Sequence, residues 1–117
     1  MQYALLIYED ESKNATHWKP EARQAFLEEF MALTREMREK GILLASQRLA
    51  SVTSATTVQV RDGHSLTTDG PFAETKEALA GFYLIECADL DEALRWAARV
   101  PIARTGSIEV RPVYGGS

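Results

Sequence analysis

The chain has 117 residues, 45% of them hydrophobic and 26% charged, with a formal net charge of −4. That is the length of a single domain, 1–117, with enough apolar material for a core that needs neither disulfides nor a metal. Its basic residues are interspersed with acidic ones and form no block, which excludes a dedicated nucleic-acid surface, because phosphate binding rests on clustered Lys and Arg.

The single cysteine, Cys87, excludes an intrachain disulfide. The opening Met1-Gln2-Tyr3-Ala4-Leu5-Leu6-Ile7-Tyr8 has no positive region before its apolar run, which ends at Glu9-Asp10-Glu11. No apolar stretch approaches bilayer length, so a soluble, cytoplasmic protein without a membrane partner is expected.

Gln2 to Tyr8 reads as a strand, with Tyr3, Leu5 and Ile7 on one face and Ala4, Leu6 and Tyr8 on the other. Ser12 to Lys19 is polar and reads as a loop, and Pro20 suits the first position of a helix. From Glu21 to Lys40, the residues Ala22, Phe26, Phe30, Leu33 and Met37 recur at helical spacing. Charged residues fill the other faces, and Gly41 supplies the stop. Ile42 to Ala45 reads as a strand leaving that helix.

Thr56 to Val60 and Ser65 to Thr68 flank Asp62-Gly63, a type I′ hairpin signal. Gly81 to Cys87 is another strand, apolar on both faces through Phe82 and Leu84 on one side and Tyr83 and Ile85 on the other. Asp89 can cap the following helix, with Glu92 three residues on completing a pattern like a capping box. Leu90, Ala93, Leu94, Ala97 and Ala98 form the predicted stripe of that helix, Trp96 lies off it at a packing edge or subunit contact, and Pro101 ends it. Ile108-Glu109-Val110-Arg111 alternates as a strand with one apolar and one polar face. Gly115-Gly116-Ser117 reads as a frayed tail.

Without the inserted hairpin the order is strand, helix, strand, strand, helix, strand. This is an α+β, ferredoxin-like split βαβ arrangement. Two helices cover only one face of a four-stranded sheet, yet two of its strands are apolar on both. A symmetric homodimer packing sheet against sheet is therefore expected.

The densest cluster of chemistry is Asp69-Gly70-Pro71-Phe72-Ala73-Glu74-Thr75-Lys76-Glu77. Gly70-Pro71 constrains the backbone, since proline fixes its φ and glycine accepts conformations other residues avoid. Asp69 could act as a general base there and Lys76 as a clamp for an anionic ligand. The competing reading is a well-made turn with solvated charges. Tyr8, Glu9 and Asp10 end the first strand, a natural rim for a cleft. Glu109 and Arg111 share a face of the last strand. His17 and His64 lack the spacing of a metal site, and Cys87 reads as a small buried apolar residue.

Over nearly its whole length the chain resembles the YCII-related superfamily, in the branch named for its Asp-Gly-Pro-Phe motif. The resemblance is carried by Asp69 to Glu77, Leu5-Leu6-Ile7-Tyr8-Glu9-Asp10-Glu11, the Thr56 to Gly63 hairpin and Gly81-Phe82-Tyr83-Leu84-Ile85. It continues through Asp89-Leu90-Asp91-Glu92-Ala93-Leu94 and Ile108 to Val113. It implies a dimeric α+β barrel. The better-understood branch of that superfamily is associated with a His-Asp pair whose histidine lies on the first helix. Here the register around Phe30 holds no histidine, so the pair does not carry over. Ala45-Ser46-Gln47-Arg48-Leu49 departs from the Gly and Glu that relatives show before the Leu, which weighs against a pocket built from this segment.

Two functional readings stand. In the first, Tyr8, Asp69, Phe72 and Lys76 line a cleft for a small organic ligand at the dimer's sheet face. No metal or cofactor is expected there. The chemistry that carboxylates and tyrosines suit is an acid/base isomerisation, elimination or lyase step, with no catalytic residue assigned. In the second, the chain is a non-enzymatic regulatory or accessory protein. An extracytoplasmic-function sigma factor is named as its partner by the family's context alone.

Overall fold

The computed structural model describes residues 1–115; Gly116 and Ser117, within the expected frayed tail, lie outside the described residues. The elements are β1 (Gln2–Glu9), α1 (Pro20–Glu39), β2 (Leu43–Arg48), β3 (Thr56–Arg61), β4 (His64–Asp69), β5 (Ala78–Glu86), α2 (Leu90–Ala98) and β6 (Ser107–Pro112). Short 3-10 turns lie at Glu11–Lys13, Ala15–His17, Val52–Ser54 and Pro101–Arg104. The first two replace the expected loop before α1. β2, β5, β1 and β6 form an antiparallel sheet in that order, and β3 pairs only with β4 in a separate ribbon. This is the expected α+β split βαβ order with a hairpin inserted between β2 and β5.

Strand alternation decides what the sheet buries. Tyr3, Leu5 and Ile7 of β1 and Tyr83 and Ile85 of β5 point to the helix side, where they cluster with Leu33 and Met37 of α1 and Ala93, Trp96 and Ala97 of α2. Leu5, Met37 and Ile85 are wholly buried, each worth about 1.5–3 kcal/mol of transfer free energy. The opposite face carries Ala4, Leu6, Tyr8, Phe82 and Leu84, all half-buried.

The helix ends follow local chemistry. Pro20 occupies the first turn of α1, and Asp89 caps α2 by accepting the Glu92 N–H at 2.9 Å while Glu92 Oε1 accepts the Ala88 N–H at 3.3 Å. Ala22 is exposed, so the buried stripe of α1 begins at Phe26 and deepens to Leu33 and Met37. The face of α2 differs from expectation. Leu90, Leu94 and Ala98 are exposed, and Trp96 is buried beside Ala93 and Ala97. Residues 93, 96, 97 and 100 form a second apolar stripe at helical spacing, and the indole, the largest apolar group available, takes the core side. Its ring lies 5.0 Å from the Arg99 guanidinium.

β2 also runs further than its hydrophobic pattern suggests. It skips Leu44 at a bulge and continues through Ser46, Gln47 and Arg48, because ladder hydrogen bonds with β5 depend on backbone rather than side-chain polarity. The hairpin turns on Asp62 and Gly63, at φ of 51° and 77°, the double positive φ of a type I′ turn. Every side chain of β4 is exposed, as are Val58 and Val60 of β3. This arm makes the molecule extended: its radius of gyration is 16.1 Å, against about 13 Å for a compact chain of this length.

Candidate functional site

α1 lies over the sheet edge where β1, β5 and β2 end, and the gap beneath it is a cleft of about 220 Å³. Phe26, Leu27, Phe30 and Met31 of α1 form an apolar wall, with Ile7 and Ile102 beneath. Ser46, Gln47 and Arg48 of β2 form the outer side, Gly81 and Tyr83 of β5 lie on the floor, and Glu9 stands at the mouth. A neighbouring depression, lined by Asn14, Thr16, His17 and Ser51, shares Glu9, Arg48 and Ala80 with this mouth.

Several local features hold the cleft open. A Cβ at Gly81 would lie 2.7 Å from the Gln47 carbonyl oxygen, so only glycine lets β2 approach β5 this closely. Pairing shifts between Ile7 and Tyr8, which face Gly81 and Leu79 in turn; this bulge aims the end of β1. Trp18, Phe26 and Phe30 stack edge to face, with ring centroids 4.8 and 5.3 Å apart, geometries that aromatic quadrupoles favour. The segment before α1 is pinned by the Trp18 indole N–H donating to the Lys13 carbonyl at 3.1 Å and by a 3.1 Å contact of His17 Nε2 with the Glu11 carbonyl.

The polar groups fall into two sets. Inside, the Thr34 hydroxyl donates to the Phe30 carbonyl at 2.9 Å and lies 2.7 Å from the Tyr83 hydroxyl. Burial raises the Tyr83 pKa, with Thr34 acting against it. At the mouth, Glu11 is already engaged: its two oxygens accept the Ser51 hydroxyl at 2.7 Å and the Val52 N–H at 3.0 Å. Burial raises the pKa of Glu9, Arg48 opposes that rise and Glu11 adds to it. Arg48 takes part in none of the ion pairs among the described residues, whereas Arg99, Arg104 and Arg111 hold Glu36, Glu29 and Glu109.

The cleft therefore combines an aromatic wall, inner hydroxyls, a half-buried carboxyl and an uncommitted guanidinium. That combination suits a small molecule with an apolar body and one polar end.

None of Tyr8, Asp69, Phe72 and Lys76 lines this cleft. Tyr8 sits half-buried on the opposite face of the sheet, across from Ser107, and its hydroxyl adds to the lowering of the Glu109 carboxyl that Arg111 dominates. Asp69 ends β4, exposed, and the turn after it is fixed by the Gly70 N–H donating to the Ala55 carbonyl and by the Thr57 hydroxyl donating to the Gly70 carbonyl, both at 2.8 Å. Phe72 is 86% exposed, and Lys76 is exposed. The run thus forms a surface around its turn.

The first-strand rim at Glu9 was visible in the sequence, whereas the 45–49 segment, from which no pocket wall was expected, supplies Ser46 and Arg48 to the cleft. The paired hydroxyls of Thr34 and Tyr83 carry no local signal, because they meet only when α1 folds onto β5. Cys87 is buried, its thiol lying 3.5 Å from the Asp89 carbonyl, and burial raises its pKa.

The family model of the YCII-related domain matches residues 1–115. The chain belongs to the YCII-related domain family. This YCII-related domain is similar to an uncharacterized protein of Rhizobium meliloti (strain 1021). The two are 45% identical over 115 residues, covering 97% of this chain and 92% of that protein. Among the described residues, no helix of the domain is long and apolar enough to cross a membrane.

Proposed function

We propose that this YCII-related domain binds a small organic molecule in the cleft beneath α1, with its apolar body against Phe26 and Phe30 and its polar end toward Glu9 and Arg48. The supporting observation is the cleft's two-ended lining: aromatic rings along α1, and an uncommitted arginine beside a half-buried carboxylate at the mouth. At about 220 Å³, the cleft lies below the range of about 300–1,000 Å³ usual for drug-sized ligands, so the ligand is small. If the bound molecule reacts, Glu9 is the group placed to exchange a proton with it, and a cofactor-free isomerisation or elimination is the fitting class. The pairing of two copies through the half-buried sheet face belongs to the same proposal.

A thermal-shift panel of small organic acids, alcohols and phenols tests this, since a ligand that binds only the folded state raises the melting temperature. Ser46→Phe fills the cleft from β2 and is expected to abolish the shifts, while Asp69→Ala leaves them intact. Equal shifts in the parent and in Ser46→Phe would place binding elsewhere and overturn the proposal.

A second reading draws on the 86% exposure of Phe72. An unshielded aromatic beside a fixed turn suits contact with another protein, and the family resemblance suggests a sigma factor. Loss of co-purification on Phe72→Ser, with the ligand shifts unchanged, would support it.

A further inference from the structure

The mouth of the cleft distinguishes among ligand classes. It is faced by Glu9 from β1, Arg48 from β2, and Glu11 and His17 from the turns before α1; α1 contributes only apolar and hydroxyl side chains. Glu11 has both oxygens occupied by Ser51 and Val52, and His17 contacts the Glu11 carbonyl through its ring nitrogen. Arg48 and Glu9 are left to meet a ligand. They line one opening without forming an ion pair. A planar guanidinium in this position offers parallel N–H donors, the match of a carboxylate. A carboxylate brought to Arg48 also approaches Glu9, and two anions that close cannot both remain charged at low cost.

We propose that the ligand is a small monocarboxylic acid with an apolar body, its carboxylate held between the Arg48 guanidinium and the protonated carboxyl of Glu9. The inference rests on the cleft reading above and adds the ligand's chemical class and a proton. On binding, Glu9 takes one proton from solvent, forming its carboxyl O–H bond, and donates that hydrogen in a hydrogen bond to the ligand carboxylate; no bond within the ligand is made or broken. The direction of the Glu9 shift is consistent with this, since burial favours its neutral form. An amine would be repelled by Arg48, and a neutral amide would leave the guanidinium without its anion.

The test is calorimetric titration of the full chain with benzoate, benzamide and benzylamine at several pH values, in buffers of different ionisation enthalpy. The expected result is binding of benzoate over the other two, with net proton uptake and an affinity that falls by up to about tenfold per pH unit above the free Glu9 pKa. Glu9→Gln is expected to keep benzoate affinity while losing both the proton uptake and the pH dependence. Arg48→Met is expected to lose at least about tenfold in affinity. Both positions lie at the rim, and cooperative melting at temperatures no lower than the parent's will show that the fold persists in the two variants.

Preferential binding of benzamide or benzylamine, abolished by Ser46→Phe, would overturn the carboxylate assignment and leave the cleft reading standing. Benzoate binding without proton uptake would overturn the role of Glu9. Absence of binding by all three probes would overturn the inference, and a thermal-shift panel equally silent would overturn the cleft reading with it.

Discussion

The cleft beneath α1 and the arm formed by β3, β4 and the Asp69 to Glu77 run both combine aromatic, apolar and charged residues, but solvent reaches them differently. In the arm, Val58 and Val60 are each 61% exposed, and Asp69, Glu74 and Lys76 of the run are exposed as well. In the cleft, residues from α1, β1, β2 and β5 converge around one space, and burial raises the pKa of Glu9. A dense local motif defines a turn, whereas a ligand-sized environment comes from segments distant in the chain that the sheet brings together. The arm also lacks what stabilises the body, since an isolated two-stranded hairpin is marginal in water.

That comparison can be broken most directly through stability. Ile85→Ala is expected to cost about 2–5 kcal/mol in a urea titration, as a transfer loss plus a cavity. Val58→Ala or Asp69→Ala on the arm is expected to cost less than about 0.5 kcal/mol. Comparable costs would show that the arm shares the body's cooperative unit.

A smaller effect is expected at Gly106, where an added Cβ would lie 2.2 Å from the Tyr8 carbonyl oxygen and 3.3 Å from the Glu9 Cα. Gly106→Ala is expected to cost about 1–3 kcal/mol through backbone displacement and to weaken the ligand-induced thermal shifts by moving the end of β1. Unaltered shifts would separate the cleft from that end of the strand.

The smallest effect is in pH dependence, and its sign separates two kinds of carboxylate. Hydrogen bonds from Arg104 and Arg99 lower the pKa values of Glu29 and Glu36. Their contribution is present above the unfolded value of about 4.3 and is lost as pH falls through their folded values. The raised Glu9 pKa works oppositely: its contribution is present below the unfolded value and is lost as pH rises through the folded one. Glu9→Gln is therefore expected to raise the melting temperature slightly at neutral pH, by less than about 0.5 kcal/mol in stability, with the gain fading toward pH 4. Glu29→Gln and Glu36→Gln are expected to flatten the acid limb instead.

The parts of the fold that could be read from the chain are those where one local signal dominates: the helical spacing from Phe26 to Met37, the Asp62-Gly63 turn, the Asp89 and Glu92 cap, and the two-faced strands. The α2 face was harder to read because residues 90, 94 and 98 and residues 93, 96, 97 and 100 are both apolar at helical period. Tertiary packing chose the set containing Trp96. The cleft was only partly legible. Glu9 could be placed at a strand end, but Arg48 is the last residue of an edge strand whose length is set by its partner β5, and Tyr83 reads as core until Thr34 is brought against its hydroxyl.

The central position of β1 has a consequence for synthesis. Its two hydrogen-bonded neighbours are β5 and β6, so the strand made first must wait for residues 78–86 and then 107–112 before its ladders can close. During translation α1 can form early from local contacts, but Leu5 and Ile7 have no sheet to enter until most of the chain has emerged. Such long-range pairing slows folding and prolongs the exposure of apolar strand edges. A nascent chain stalled before β5 would therefore present β1 as a bare hydrophobic segment, a natural substrate for a chaperone acting at the ribosome exit.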